Sequence, residues 1–178
     1  MKKVYLIGYM GSGKNAIGKR LSFATKMPFY DMDREIEKKM GMSIPEIFNT
    51  YGEAYFRDLE TDFLRNFRTE ACIIATGGGV PMRSENREIL RKTGLVFFLN
   101  ASFRDIWRRI ANGKNRPIVL QSTRTELEAL YLERKPQYVR AAHFKVETEH
   151  RTLREITKYI AFQVERLKED KLKERIRQ

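Results

Sequence analysis

The chain has 178 residues, a hydrophobic content of 42% and a formal net charge of +12. That length suits one domain with a substantial core, and no apolar run is long enough to cross a membrane. The single cysteine, Cys72, excludes an intramolecular disulfide, and the first strand begins so near the N-terminus that no leader is expected and a cytoplasmic location is.

Val4–Ile7 is a short apolar, β-favouring run of the kind a buried parallel strand shows. It leads into Gly8-Tyr9-Met10-Gly11-Ser12-Gly13-Lys14-Asn15. That segment meets the phosphate-binding pattern G-x-x-x-x-G-K-[ST] at every fixed position except the last. Glycines at 11 and 13 let the backbone wrap a phosphate with its N–H groups turned inward. The next helix, Asn15–Thr25, carries Ile17, Leu21 and Ala24 at helical spacing and adds the positive end of its dipole. Lys14 supplies a mobile charge for the outer phosphates. Gly11, Ser12, Gly13, Lys14, Asn15 and Ala16 are therefore the candidate nucleotide contacts. Ser or Thr in the final position would offer Mg²⁺ a hydroxyl; Asn15 offers an amide on a longer side chain. Nucleotide binding is expected to persist while Mg²⁺ affinity or turnover falls.

A second strand at Phe29-Tyr30 ends in Asp31-Met32-Asp33. Residues two apart in an extended segment share a face, so both carboxylates could enter one cleft, one holding metal-bound water and one accepting a proton. Capping of the following helix, Asp33–Met40, explains them equally well. Helices are predicted at Ile44–Thr50, with a Ser43/Glu46 capping box, and at Glu53–Phe67. Arg57 lies on the second, four residues after Glu53, at ion-pair spacing. A third strand, Cys72–Ala75, ends in Thr76-Gly77-Gly78-Gly79. Three successive glycines carry an entropic cost that makes sense where backbone must touch a ligand.

Further on come a helix at Glu85–Lys92 with Ser84 as N-cap, a strand at Leu95–Leu99, and a helix at Phe103–Ala111 with Ser102 as N-cap. Trp107 on that helix reads as core. The polar, basic segment that follows, near 111–124, reads as a mobile lid whose Arg116 could close over phosphates, or as a plain connector. Arg134 lies in the helix Glu126–Ala141, ahead of a last strand at Phe144–Val146. The helix Leu153–Leu167 continues into a mixed-charge tail that reads as solvated, giving a C-terminal helix near 152–178 with Val164, Leu167 and Leu172 as a narrow apolar stripe. His143 and His150 have no Cys or carboxylate cluster around them and read as neither ligand nor catalyst. A guanidinium at 57 or 134 suits bidentate recognition of a carboxylate, or a surface ion pair. The net charge favours small polyanions over nucleic acid, because convergent arginines explain it better than a continuous basic face.

The alternation of strands and helices implies an α/β fold in which helices cover both faces of a parallel sheet, with ligands at the strands' carboxyl ends. In order, Gly8–Lys14, Asp31-x-Asp33, Gly52-Glu53-x-x-Phe56-Arg57-x-x-Glu60, Gly77-Gly78-Gly79, Arg116-Pro117 and Glu133-Arg134 with Tyr138 resemble the motifs of shikimate kinases over nearly the whole chain. The resemblance implies a single P-loop domain over residues 1–178, nucleoside-monophosphate-kinase-like, with a five-stranded parallel sheet. It implies transfer of the ATP γ-phosphoryl group to the 3-hydroxyl of shikimate by a monomer, with Mg²⁺ and with neither nucleic acid nor membrane as partner.

The same resemblance assigns phosphate binding to Lys14 and the N–H groups of residues 11–14. Asp33 would hold the acceptor hydroxyls and act as base. Arg57 and Arg134 would take the carboxylate, and Gly78 and Gly79 would give backbone contacts. Asp31 would support the metal with Asn15, Arg116 would serve as lid arginine, and Arg109 and Arg151 would lie near adenine. Asn15 departs from the family pattern. It motivates an alternative, a kinase-fold binding protein with little catalysis; a third reading is a related kinase for another small molecule such as gluconate.

Overall fold

A computed structural model describes residues 3–111 and 122–176, with side chains described through residue 167. Strands β1 (Lys3–Ile7), β2 (Phe29–Asp31), β3 (Ile73–Ala75), β4 (Gly94–Asn100) and β5 (Phe144–Glu147) form one five-stranded sheet in the order β2-β3-β1-β4-β5. Every pairing is parallel, with Leu6 beside Ala75 on one side and Phe97 on the other, and Asp31 also beside Ala75. All five strands therefore end at one edge of the sheet.

The helices are α1 (Lys14–Thr25), α2 (Met32–Met40), α3 (Ile44–Asn66), α4 (Ser84–Thr93), α5 (Phe103–Ile110), α6 (Arg124–Ala141) and α7 (Leu153–Ile176), with a 3₁₀ turn at Val80–Met82. Side chains alternate across the sheet. Val4, Leu6, Ile73, Phe97 and Leu99 pack with Ile17 and Leu21 of α1 and Ile156, Ile160 and Val164 of α7. Tyr5, Ile7, Ile74, Val96 and Phe98 pack with Phe56 and Leu64 of α3, Leu90 of α4, Ile106 of α5 and Tyr138 of α6. Burial on both faces is why these strands read as unbroken apolar runs.

Local chemistry explains the element ends. The expected helices 44–50 and 53–67 are one element broken at Gly52, whose φ of 82° only glycine adopts without strain. The Ser43/Glu46 capping box forms, and Ser102 accepts from the Asp105 N–H. A second capping box, Thr123 with Glu126, starts α6 two residues earlier than the apolar pattern suggested. Ser84 is not a cap: it is the first residue of α4, Arg83 holds the N-cap position, and no side chain bonds there. Trp107 is half-buried against the larger core cluster. His143 is tied to β4, its Nδ1 accepting from the Val96 N–H at 3.1 Å. None of the described helices is long and apolar enough to cross a membrane.

Gly18 sits buried on α1, where a Cβ would collide with the Phe29 ring of β2. Alanine in a helix is better than glycine by about 1 kcal/mol, but forcing a methyl group into packed atoms costs about 1–3 kcal/mol. Gly18→Ala is therefore expected to lower stability despite its better propensity, read as a lower urea midpoint with an unchanged m-value.

Candidate active site

β1 runs into the glycine loop, and α1 begins at Lys14 with Gly13 as its N-cap at φ 96°. Gly8 and Gly11 also have positive φ, at 146° and 75°. A Cβ at Gly11 would strike Ile110 at 2.8 Å, so the loop needs glycine there both for its turn and for its seat on α5. The first intrahelical bond of α1 runs from the Ile17 N–H to the Gly13 carbonyl, at 3.0 Å. The N–H groups of Lys14, Asn15 and Ala16 thus stand at the open, positive end of the helix. The Ser12 N–H does not join them: it donates to the Tyr9 carbonyl at 3.1 Å and closes the loop on itself. Lys14 folds over the loop, Nζ donating to the carbonyls of Gly8 (2.8 Å) and Tyr9 (3.1 Å). Arg109 of α5 donates to the Gly11 carbonyl at 3.0 Å, which brings it against this loop. Arg151 stands at the same sheet edge, in the turn after β5, where its N–H bonds the Thr148 carbonyl at 3.4 Å. Arg116 and the interior of the expected lid lie outside the described residues.

Asp31 and Asp33 do not share a face by strand alternation. Asp31 is the last residue of β2 and Asp33 already lies in the first turn of α2, capped by the Asp31 carboxylate (Asp33 N–H to Oδ1, 3.2 Å). The helix brings Asp33 to the glycine triplet: a Cβ at Gly77 would lie 2.9 Å from Asp33 Oδ1 and 2.5 Å from Glu60 Oε1.

Beyond Gly77 opens a cleft of about 390 Å³ whose walls include Glu53 and Arg57 of α3, Gly79, Arg83, and Arg134 and Gln137 of α6. Arg57 is held by Glu60 (Nη1 to Oε2, 2.8 Å) and Glu53 (Nη2 to Oε1, 2.7 Å), beneath the Phe56 ring. The ion pair at Glu53 spacing and the cleft position are thus both realised. Glu60 is fully buried, and burial pushes its carboxyl up to about 7 against the pull of Arg57. Burial draws the Arg57 pKa down, but Glu60 and Glu53 outweigh it and leave the guanidinium pKa raised. Gly78 links the cleft to the loop: its carbonyl accepts from the Tyr138 hydroxyl at 2.7 Å, and its Cα faces Met10 N and Gly8 O. Glu60, Arg83 and Gln137 were given no role by the sequence; only the Arg57-x-x-Glu60 spacing hinted at the first.

A Cβ at Gly79 would run into the Arg57 guanidinium. Because Arg57 is pinned on both sides by carboxylates, it cannot yield freely. Gly79→Ala is expected to raise the KM for a carboxylate-bearing acceptor by about tenfold, with kcat little changed and the melting temperature lowered by the clash; an unchanged KM would remove Arg57 from recognition.

The metal reading fares less well. Asp31 and an Asn carbonyl are hard oxygen donors of the kind Mg²⁺ takes. As arranged, however, Asn15 turns its Nδ2 toward Asp31 Oδ2, at 2.5 Å, while Oδ1 caps α2 and Arg34 lies 3.9 Å from Oδ2. This arrangement does not fit a magnesium ion held directly between residues 15 and 31.

A parallel α/β sheet with a glycine loop opening α1, a lysine over that loop and an arginine-walled cleft beside it define a P-loop small-molecule kinase. The sequence pattern of the family described as shikimate kinase matches residues 10–165. The shikimate kinase of Nitrosospira multiformis is 41% identical over 163 residues, 90% of this chain and 84% of that one. Solved structures agree: shikimate kinase from Acinetobacter baumannii in complex with shikimate superposes with a TM-score of 0.86 at 35% identity, covering 92% of this chain and 93% of that one. The Aquifex aeolicus enzyme gives 0.80 at 37% identity, over 92% and 96%. The chain belongs to the shikimate kinase family.

Proposed function

We propose that the protein transfers the γ-phosphoryl group of ATP to the 3-hydroxyl of shikimate. The observation that carries this reading is the junction at Gly78, where a cleft walled by Arg57 and Arg134 meets the phosphate-binding loop. Two guanidiniums suit a carboxylate on the acceptor, and α1 with Lys14 suits the phosphates. Lys14 must leave the Gly8 and Tyr9 carbonyls to reach the γ-phosphate, so ATP replaces two hydrogen bonds that the loop makes to itself. Asp33 accepts the hydroxyl proton through Oδ2, since Oδ1 is buried beside Gly77. Gly79 keeps backbone close to the acceptor while leaving room for Arg57. Arg109, against the loop, and Arg151, beyond β5, flank the space for adenine. Magnesium accompanying ATP would add to the charge neutralisation that Lys14 and the helix end supply. The protein would work as a cytoplasmic monomer, with neither nucleic acid nor membrane as partner.

A coupled assay of ADP release with ATP and shikimate, set against a panel that includes gluconate, tests the proposal. Shikimate-dependent turnover is expected. Tight nucleotide binding with turnover near zero would favour a binding protein instead, and turnover only with another acceptor would favour a different small-molecule kinase.

A further inference from the structure

We infer that Asn15 is a built-in competitor for divalent metal at Asp31, so that nucleotide binding by this protein depends little on magnesium. The inference rests on the loop being an ATP site, but it concerns the metal response of binding and not the acceptor.

The observation is the bond from Asn15 Nδ2 to Asp31 Oδ2 at 2.5 Å. Its direction is set by chemistry: a carboxylate offers no proton, so the amide must turn its nitrogen toward it. A Ser or Thr hydroxyl in this position could donate to Asp31 and still ligate a metal through the lone pairs of the same oxygen. An amide separates these functions. The atom that faces Asp31 has no lone pair for a metal, and the carbonyl oxygen points elsewhere. Presenting that oxygen requires turning the amide over and breaking a bond to a charged acceptor.

Both carboxylate oxygens of Asp31 are engaged. Oδ1 caps α2 through the Asp33 N–H at 3.2 Å, and Arg34 Nε lies 3.9 Å from Oδ2. An amide, a guanidinium and a helix N-terminus thus already answer the negative charge that would attract a cation. The same bond ties the start of α1 to the end of β2, so the two strand-end segments of the phosphate site are held together without a bridging ion. Asn15 is exposed, so water weakens the bond and the competition is graded rather than absolute.

Binding of ADP, which allows no turnover, tests this by calorimetry in Mg²⁺ and in EDTA for the parent protein, Asn15→Ser and Asn15→Ala. The parent dissociation constant is expected to change by less than about threefold between the two conditions, and that of Asn15→Ser by about tenfold or more, the scale of one hydrogen bond to a charged group. Asn15→Ala separates competition from a merely missing ligand. It adds no metal donor but releases Asp31, so its metal response is expected to exceed that of the parent. Equal responses in all three proteins, or an Asn15→Ala response no larger than the parent's, would overturn the inference. Thermal melts of each variant establish that it is folded. Shikimate-dependent turnover is followed separately: its absence alongside the expected ADP pattern would count against the kinase reading alone, and its presence alongside equal metal responses would overturn the competitor alone.

Discussion

Asp33→Asn is expected to lower shikimate-dependent turnover by about a thousandfold, within the range for loss of a general base, while nucleotide affinity stays within about twofold. The substitution keeps the shape of the side chain and its place in the first turn of α2, where the Asp31 carboxylate caps it. It removes the negative charge and with it the capacity to accept a proton. Asp33 faces Gly77 and lies within electrostatic reach of Glu60. The loss should therefore fall on kcat and leave ADP binding intact, which steady-state kinetics and a nucleotide titration separate. An Asp33→Asn protein that turns over at the parent rate would show that the acceptor loses its proton without this residue.

Arg57→Ala carries the other large effect, and it has two parts. The guanidinium faces the cleft, so acceptor affinity should fall by about a hundredfold or more, with ATP affinity nearly unchanged. Its removal also strands Glu60, which is fully buried. Breaking a buried pair from one side costs about 3–5 kcal/mol. Glu60 can relieve part of that by keeping a proton, since burial already holds its carboxyl near 7. The sign follows from linkage. A carboxyl whose folded pKa lies above its unfolded value favours the folded state at low pH and loses that contribution as pH rises through the folded value, which is about 7 beside Arg57 and higher once Arg57, which lowers it, is removed. Arg57→Ala should therefore be most unstable above neutrality and recover toward acid. Adding Glu60→Gln should restore stability and flatten that pH dependence without restoring acceptor binding. Urea melts across pH, with acceptor titrations on the single and double variants, read both parts. Equal losses of ATP and acceptor affinity would mean a folding defect and no recognition role.

Much of the site was legible because its chemistry is local. The loop Gly8–Lys14 needs its glycines wherever the chain goes next, and an apolar strand before it with a helix after it states the context. The glycine triplet was legible for the same reason. Legibility failed where an interaction spans elements. Asp31 and Asp33 read equally well as two residues of one extended segment or as helix caps; α2 begins between them, because the Asp31 carboxylate caps the helix that contains Asp33. Ser84 looked like a cap because Ser favours that position, but the 3₁₀ turn before it already aligns the chain, and Arg83 occupies the position. The last helix, Leu153–Ile176, falls within the C-terminal helix near 152–178 that the sequence suggests.

Sequence alone was sufficient for the phosphate loop, the order of strands and helices, and the residue types that a carboxylate-bearing acceptor and a nucleotide require. All of these depend on spacing along a few neighbouring residues. Folding was needed to show that Glu60 lies buried under Arg57, that Gly79 makes room for that guanidinium, and that the Asn15 amide is already spent on Asp31. Those facts turn on burial and atom-level direction, between residues 3, 22 and 16 positions apart, and neither quantity is written in the periodicity of a chain.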